Sequence, residues 1–180
     1  MADINISARN ERGSATGGKS AADREPVWDI IELLFFAYRD FVGDPDEVLS
    51  KLGFGRAHHR VLHFVNRNPG MKVADLLDIL KITKQSLGRV LKQLIDEGYV
   101  LQKEGASDRR QRLLFVTAKG ESLALKLAML QTERITRAFA ELGANAHDDA
   151  RRFLAAMTDA ENRDSVLRLI ARAERAQKAR

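Results

Sequence analysis

Cysteine is absent from this 180-residue chain. That excludes structural disulfides, thiolate nucleophiles, thiol redox sensing and cysteine-rich zinc sites together, and it points to a reducing compartment, the cytoplasm. Only three prolines occur and aromatics make up 6% of the residues, a composition that favours helices over a β-sandwich or an α/β sheet. The longest apolar run, 33–38, is far below the roughly 20 residues of a membrane helix, and the N-terminus lacks the apolar core of a secretory signal. No membrane partner is expected. What is present is a chain 44% hydrophobic, with 30 Lys+Arg against 25 Asp+Glu and a formal charge of +5. At this length a folded chain buries roughly 70% of the surface that its unfolded form exposes, enough for a core without metal or disulfide.

Residues 1–24 are rich in Ser, Ala, Gly, Asn and charge and carry almost no large apolar side chains, so they are expected to form a disordered arm. Within it, residues 13–20 match the phosphate-loop pattern G-x-x-x-x-G-K-S. A phosphate loop leaves a buried strand and opens a long helix, whereas the residues before this match are polar and Pro26 follows Ser20 closely. The match is read as a chance feature of a Gly/Ser tail.

From Pro26 the pattern becomes helical: Val27, Ile30, Ile31, Leu34, Phe35, Tyr38 and Phe41 recur at three- and four-residue intervals. Gly43-Asp44-Pro45 is expected to stop that helix, with a short one over 46–51 before Gly53-Phe54-Gly55. Helical spacing then covers 56–66, 73–80 and 84–97, with Asn68-Pro69-Gly70 as a turn and Thr83 placed to cap the last of the three. After Gly98 the period changes from 3.6 to 2, so 99–103 and 112–117 read as a hairpin around a polar loop. Long helices are predicted over 118–142, capped by Thr117, and over 148–175, with a break near Thr158-Asp159. The expected division is an arm (1–24), N-terminal dimerisation helices (25–54), a DNA-binding lobe (55–120) and C-terminal dimerisation helices with a basic tail (121–180).

Two short helices, a tight connection and a small hairpin are the parts of a winged helix-turn-helix, a mainly α fold of the α+β winged-helix type, whose second helix enters the major groove. On that helix Leu87, Val90, Leu91, Leu94 and Ile95 share one arc, while Gln85, Ser86, Arg89, Lys92 and Gln93 gather opposite. Arg pairs with guanine in a bidentate manner, Gln does so with adenine, and Ser and Lys take phosphate oxygens. Gly88 puts no side chain between the helix and the groove wall. Residues 81–112 carry Lys81, Lys84, Arg89, Lys92, Lys103, Arg109, Arg110 and Arg112 against Asp96, Glu97, Glu104 and Asp108, so most of the net charge sits on this reading head. The wing tip, Ser107-Asp108-Arg109-Arg110, suits a narrow minor groove, with Asp108 expected to hold Arg110 or Arg109 extended through a charge-assisted bond. Double-stranded DNA is the expected partner.

The stretch from about Gly55 to Gly120 resembles the multiple antibiotic resistance regulator (MarR) family of bacterial transcription factors. The resemblance is carried by Arg60-Val61-Leu62, by 83–94 on the reading helix, by Glu97-Gly98-Tyr99-Val100, and by a wing pattern with Asp108, Arg110, Leu114, Val116, Thr117, Lys119 and Gly120. It implies a symmetric dimer whose first and last helices interlock, and repression from a palindromic operator until a small phenolic or similar ligand binds. By position it implies that Gln85, Ser86 and Arg89 read bases, that Arg110 enters the minor groove, and that Lys72 and Lys84 touch the backbone. Thr83, Lys92, Asp108, Arg109 and Arg112 complete the candidate DNA-binding set.

Dimerisation is also expected from the residues alone, because helices 27–42, 118–142 and 148–175 hold more apolar surface than one small lobe can cover. Trp28, Phe35, Tyr38, His58 and Phe64 are candidates for lining a pocket for a small aromatic effector, against the plainer reading of a core stripe. His59 and His63, at i, i+4, are weak metal candidates that need a third ligand, and they support the alternative of a metal-responsive regulator. Arg168, Arg172, Arg175, Lys178 and Arg180 form a basic tail, suited to a helix end in solvent. No nucleophile with a base and no paired acids are seen, so neither an enzyme nor a cofactor is expected. A winged helix that serves only as a protein-interaction module is the other rival.

Overall fold

The computed structural model describes residues 25–105, 108 and 110–178. The phosphate-loop match, Ser107, Arg109 and Arg180 lie outside these residues. The element order is α1 (Trp28–Ser50), α2 (Arg56–Arg67), β1 (Met71–Lys72), α3 (Val73–Leu80), α4 (Lys84–Asp96), β2 (Val100–Glu104), β3 (Arg112–Val116), α5 (Ala118–Leu142), α6 (Ala146–Met157) and α7 (Ala160–Lys178). The chain divides into a unit that ends at Phe35 and a second that runs from Phe36. In the first, Val27 and, at the start of α1, Trp28, Leu33 and Phe35 are exposed.

Helix α1 corrects the sequence reading, which ended it at Gly43-Asp44-Pro45. It continues to Ser50 with Pro45 inside. Proline removes one backbone N–H and so leaves the carbonyl four residues earlier without its helical donor. That carbonyl, Phe41 O, accepts from Gln131 Nε2 of α5 at 3.5 Å. Next to it, Asp44 accepts from Nε and Nη2 of Arg134, the shortest contact being 2.9 Å. Pro45 itself is buried. Long-range partners therefore carry the helix through a residue that would stop it in isolation.

The core gathers Leu49, Val61, Leu62, Val65, Leu76, Leu87, Leu94, Leu114 and Leu127 from six elements. The sheet is antiparallel with order β1-β3-β2, Leu101 facing Phe115 and Met71 facing Leu114. Strand β1 was not expected, since two residues carry no readable period; it forms because Gly70, at φ +80°, turns the chain so that its N–H reaches Leu114 O at 2.8 Å. The wing joins α5 at a tight point. Thr117 Oγ1 accepts from Gly120 N–H at 3.1 Å and donates to Gly98 O at 2.7 Å, and a Cβ on Gly120 would lie 2.0 Å from Tyr99 O, so only glycine fits there. Lys81, in left-handed conformation at φ 50°, ends α3 and makes the bend before α4.

Beyond the lobe, α5, α6 and α7 leave an apolar face uncovered. Phe153, Leu154 and Met157 of α6 are at least half exposed, and Leu142 at the end of α5 is 74% exposed. The three helices border an open groove of about 540 Å³ lined by Phe139, Leu154, Val166 and Leu167. The break between α6 and α7 falls at Thr158, where Arg163 Nη2 donates to the carbonyls of Ala156 (2.8 Å) and Thr158 (3.1 Å). Among the described residues, no helix is long and apolar enough to cross a membrane.

Candidate nucleic-acid interface

Helix α4 is seated by Leu87, Val90, Leu91 and Leu94, all buried. Its entry is capped by Thr83, whose Oγ1 accepts from Ser86 N–H at 3.1 Å and donates to Ser86 Oγ at 2.9 Å. The cap satisfies a backbone donor that the first helical turn leaves open. Ser86 is thus fixed at the start of the helix with its hydroxyl proton still free to be donated. Gln85, Arg89 and Lys92 are exposed on the side opposite the core. A Cβ on Gly88 would meet nothing within 4 Å.

Beside α4 a cleft of about 780 Å³ separates α3 and α4 from the wing, and its rim carries Lys72, Lys84, Lys92, Arg110 and Arg112 with Asp96 as the single acid among the described residues. Asp96 accepts from the Lys92 ammonium one turn away on the same helix. Arg112 donates to Glu104 at 3.0 Å across the hairpin. Lys72 stands at the start of α3, where its backbone N–H is bound by Asp75 Oδ2 at 3.0 Å and its side chain is exposed. The structure brings the candidates Lys72, Lys84, Lys92, Arg110 and Arg112 around one surface, with Gln85 and Arg89 on the adjoining outer face of α4.

Two expectations about this surface need correction. Asp108 does not hold the Arg110 guanidinium: its Oδ1 accepts from the backbone N–H of Arg110 at 2.9 Å, and its own carbonyl accepts from Gln111 N–H at 3.0 Å, while Arg109, the other guanidinium expected for it, lies outside the described residues. A carboxylate two residues before an amide closes a local turn more readily than it reaches a long side chain. Asp108 therefore shapes the wing tip and leaves the Arg110 guanidinium to project. Gln93 is not on the outer face either. It is half-buried, with Oε1 at 2.9 Å from His58 Nε2 of α2 and Nε2 donating to Glu97 Oε1 at 3.0 Å.

The candidate effector residues divide between the two units, with Trp28 and Phe35 in the first and Tyr38, His58 and Phe64 in the second. His58 is spent on structure, since its Nδ1 accepts from Gly55 N–H at 3.1 Å and its ring stacks on Phe54 at 4.8 Å. Trp28, Phe35 and Tyr38 are exposed, and Phe64 packs partly buried against the core. Phe64 does line a different groove, of about 410 Å³, between α2, α5 and α7, together with His63, Asn66, Arg67, Leu125, Ile170 and Gln177. Asn66 was missed by sequence reasoning. It is buried, and its Oδ1 has no hydrogen-bond partner among the described residues. Its place four positions after Leu62 and next to Val65, on the buried row of an otherwise polar helix, is the signal that could have found it.

His59 and His63 share a helix face, but among the described residues no group of three or more His, Cys, Asp or Glu side chains is placed to hold a metal. The metal-sensing alternative therefore has no ligand set there. Burial lowers the proton affinity of His59, and for His63 burial first, then the like charges of His59 and Arg67, push it down to about 4. The unfolded imidazole binds its proton near 6.5, so between those values the unfolded chain holds more protons; stability is full above pH 6.5 and falls as the pH drops towards 4. The exposed edge of the ring tempers the size of that loss. Thermal melts at pH 7 and pH 5 should show a drop in the wild type that is smaller in His63→Gln; an equal drop in both would contradict this reading.

Comparison with known proteins supplies an independent finding. A model of the MarR family matches residues 52–111. The chain is 46% identical over 129 residues to the HTH-type transcriptional regulator PetP of Rhodobacter capsulatus, a match covering 72% of this chain and 78% of that protein. It is 28% identical over 106 residues to the HTH-type transcriptional repressor Rv2887 of Mycobacterium tuberculosis, covering 59% and 76%. Among solved structures, the transcriptional regulator SlyA shares the fold at TM-score 0.62 and 19% identity, covering 77% of this chain and 99% of that one. Rv2887 solved with salicylic acid matches at TM-score 0.53 and 26% identity, covering 76% and 98%.

Proposed function

The chain belongs to the MarR family of transcriptional regulators, a family of regulators and not of enzymes, and from that premise we propose that it represses as a homodimer, laying two α4 helices into successive major grooves of a pseudo-palindromic operator in the cytoplasm. The observation that carries this reading is the cationic cleft: five basic side chains from β1, α4 and the wing share one rim beside the exposed Gln85 and Arg89. Lys72, Lys84 and Lys92 serve phosphates, Ser86, Gln85 and Arg89 face base edges, and Arg110 with Arg112 lies towards the minor groove. Thr83 and Asp108 hold the elements that present them. The uncovered apolar faces of α5, α6 and α7 supply the surface for a two-fold partner. Binding to duplex DNA should weaken with salt at a log–log slope near −0.9 per phosphate contacted, whereas a protein-interaction module would show no such dependence on DNA.

Asp96 makes a sharper test. Its carboxylate occupies the reading side of α4 and engages Lys92. Asp96→Asn removes a negative charge from the interface and frees that ammonium. Operator affinity should therefore rise several-fold at low salt and the salt slope should steepen by about one phosphate contact per lobe. Unchanged affinity and slope would remove Lys92 from the phosphate-binding set.

For the effector, the groove between α2, α5 and α7 is favoured over the aromatic set named from sequence, because Asn66 Oδ1 is buried there without a donor among the described residues. A small aromatic acid able to donate a hydrogen bond, such as salicylic acid, fits its apolar wall and the nearby Arg67. A ligand shifts DNA affinity only through different affinity for the two dimer states. Salicylic acid should then bind the free dimer more tightly than the DNA-bound dimer, and Asn66→Leu should lose that response while keeping operator affinity. Equal binding to both states would exclude this mechanism.

A further inference from the structure

We propose that His58 is a positioning residue for DNA recognition, setting the roll of α4 about its own axis by tying Gln93 to the start of α2. The proposal rests on the reading that α4 enters the major groove. Because Nδ1 accepts from Gly55 N–H at 3.1 Å, the neutral ring carries its proton on Nε2, and that proton is donated to Gln93 Oε1 at 2.9 Å. This orients the Gln93 amide so that its NH2 faces Glu97 Oε1 at 3.0 Å. One tautomer and one amide orientation satisfy all three bonds. The ring itself cannot tilt freely, since it lies at 4.8 Å and 12° on Phe54, which meets Tyr99 edge-on at 5.1 Å just after α4.

The packing of α4 explains why such a tether is needed. Leu87, Val90, Leu91 and Leu94 hold the helix to the core, but apolar burial is non-directional and resists lifting more than rolling. Gln93 lies on the flank of the helix, at a right angle or so from the core-facing row, where a directional bond limits roll. With a helix radius of about 5–6 Å including side chains, a roll of about 10° moves a surface group by about 1 Å. A recognition constellation tolerates about 0.5 Å. The tether thus bears on Gln85 and Arg89 without touching DNA.

The test separates positioning from capping in the full-length protein, with an operator selected by the wild type from a randomised duplex pool. In His58→Asn the short amide can still accept Gly55 N–H, as a residue three positions into a helix commonly does, but it does not reach Gln93. The melting temperature should stay near that of the wild type while operator affinity falls about tenfold and discrimination against single-base operator variants weakens. Gln93→Leu should do the same, and His58→Asn/Gln93→Leu should be no worse than Gln93→Leu alone. Wild-type affinity and discrimination in His58→Asn, or losses that multiply in the double variant, would overturn the proposal. Arg89→Ala run alongside keeps the two claims apart: if it binds the operator as the wild type does, the groove assignment fails, whatever His58 does.

Discussion

Arg89→Ala should lose about 1–3 kcal/mol of operator affinity at each reading head and, because a two-fold dimer uses the residue twice, about 2–6 kcal/mol in all. The side chain is exposed on the outer face of α4, one turn after Gln85 and away from the core row, with no acidic partner in its own turn. Truncation therefore leaves packing intact, and the loss falls on DNA binding. Discrimination should suffer as well as affinity, since a bidentate contact to a base edge carries sequence information that a phosphate contact does not. Titration against the operator and against a duplex changed at its guanines should show the two affinities converging. A variant that keeps both the affinity and the preference of the wild type would mean that α4 does not read bases through Arg89.

Leu154→Asp tests the assembly. Leu154 is 58% exposed on α6, lines the apolar groove between α5, α6 and α7, and takes no part in the core of the winged lobe. Burying a leucine contributes about 2 kcal/mol, and an isologous interface counts the residue twice, so the dimer should be weakened by about 4 kcal/mol, on the order of 1000-fold in its dissociation constant. A carboxylate facing an apolar partner adds to the loss. Sedimentation should show a folded monomer whose helical content is unchanged, and operator binding should fall to that of a single lobe. A dimer of undiminished stability would place the two-fold contact elsewhere.

The parts of the fold that were legible in the sequence are those with local causes. Helices α3 and α5 stand at residues 73–80 and 118–142 as the spacing indicates, because the bend at Lys81 and the Thr117 cap are written in adjacent residues. The buried row of α4 and its outer face follow from the 3.6-residue period in the same way. What was misread depends on partners far away in the chain. Pro45 continues a helix because Gln131 and Arg134 wait on α5. Gln93 turns aside from the reading face because His58, 35 positions earlier, meets it. Strand β1 exists because Leu114 pairs with Met71. For Asp108 and Arg110 the cause is local: the turn that Asp108 closes on the Arg110 amide is written in adjacent residues and competes with the charge-assisted bond to the side chain. The outer face of α4 was therefore legible in the sequence, while the distant contact that takes Gln93 out of it was not.

Hydroxyl-radical footprinting of the full-length protein on its operator tests the central claim most directly. Two reading heads on a two-fold dimer predict two protected patches on one face of the duplex, about 34 Å or one helical turn apart, which fade together as salt is raised. A single protected patch, or none at low ionic strength, would contradict it.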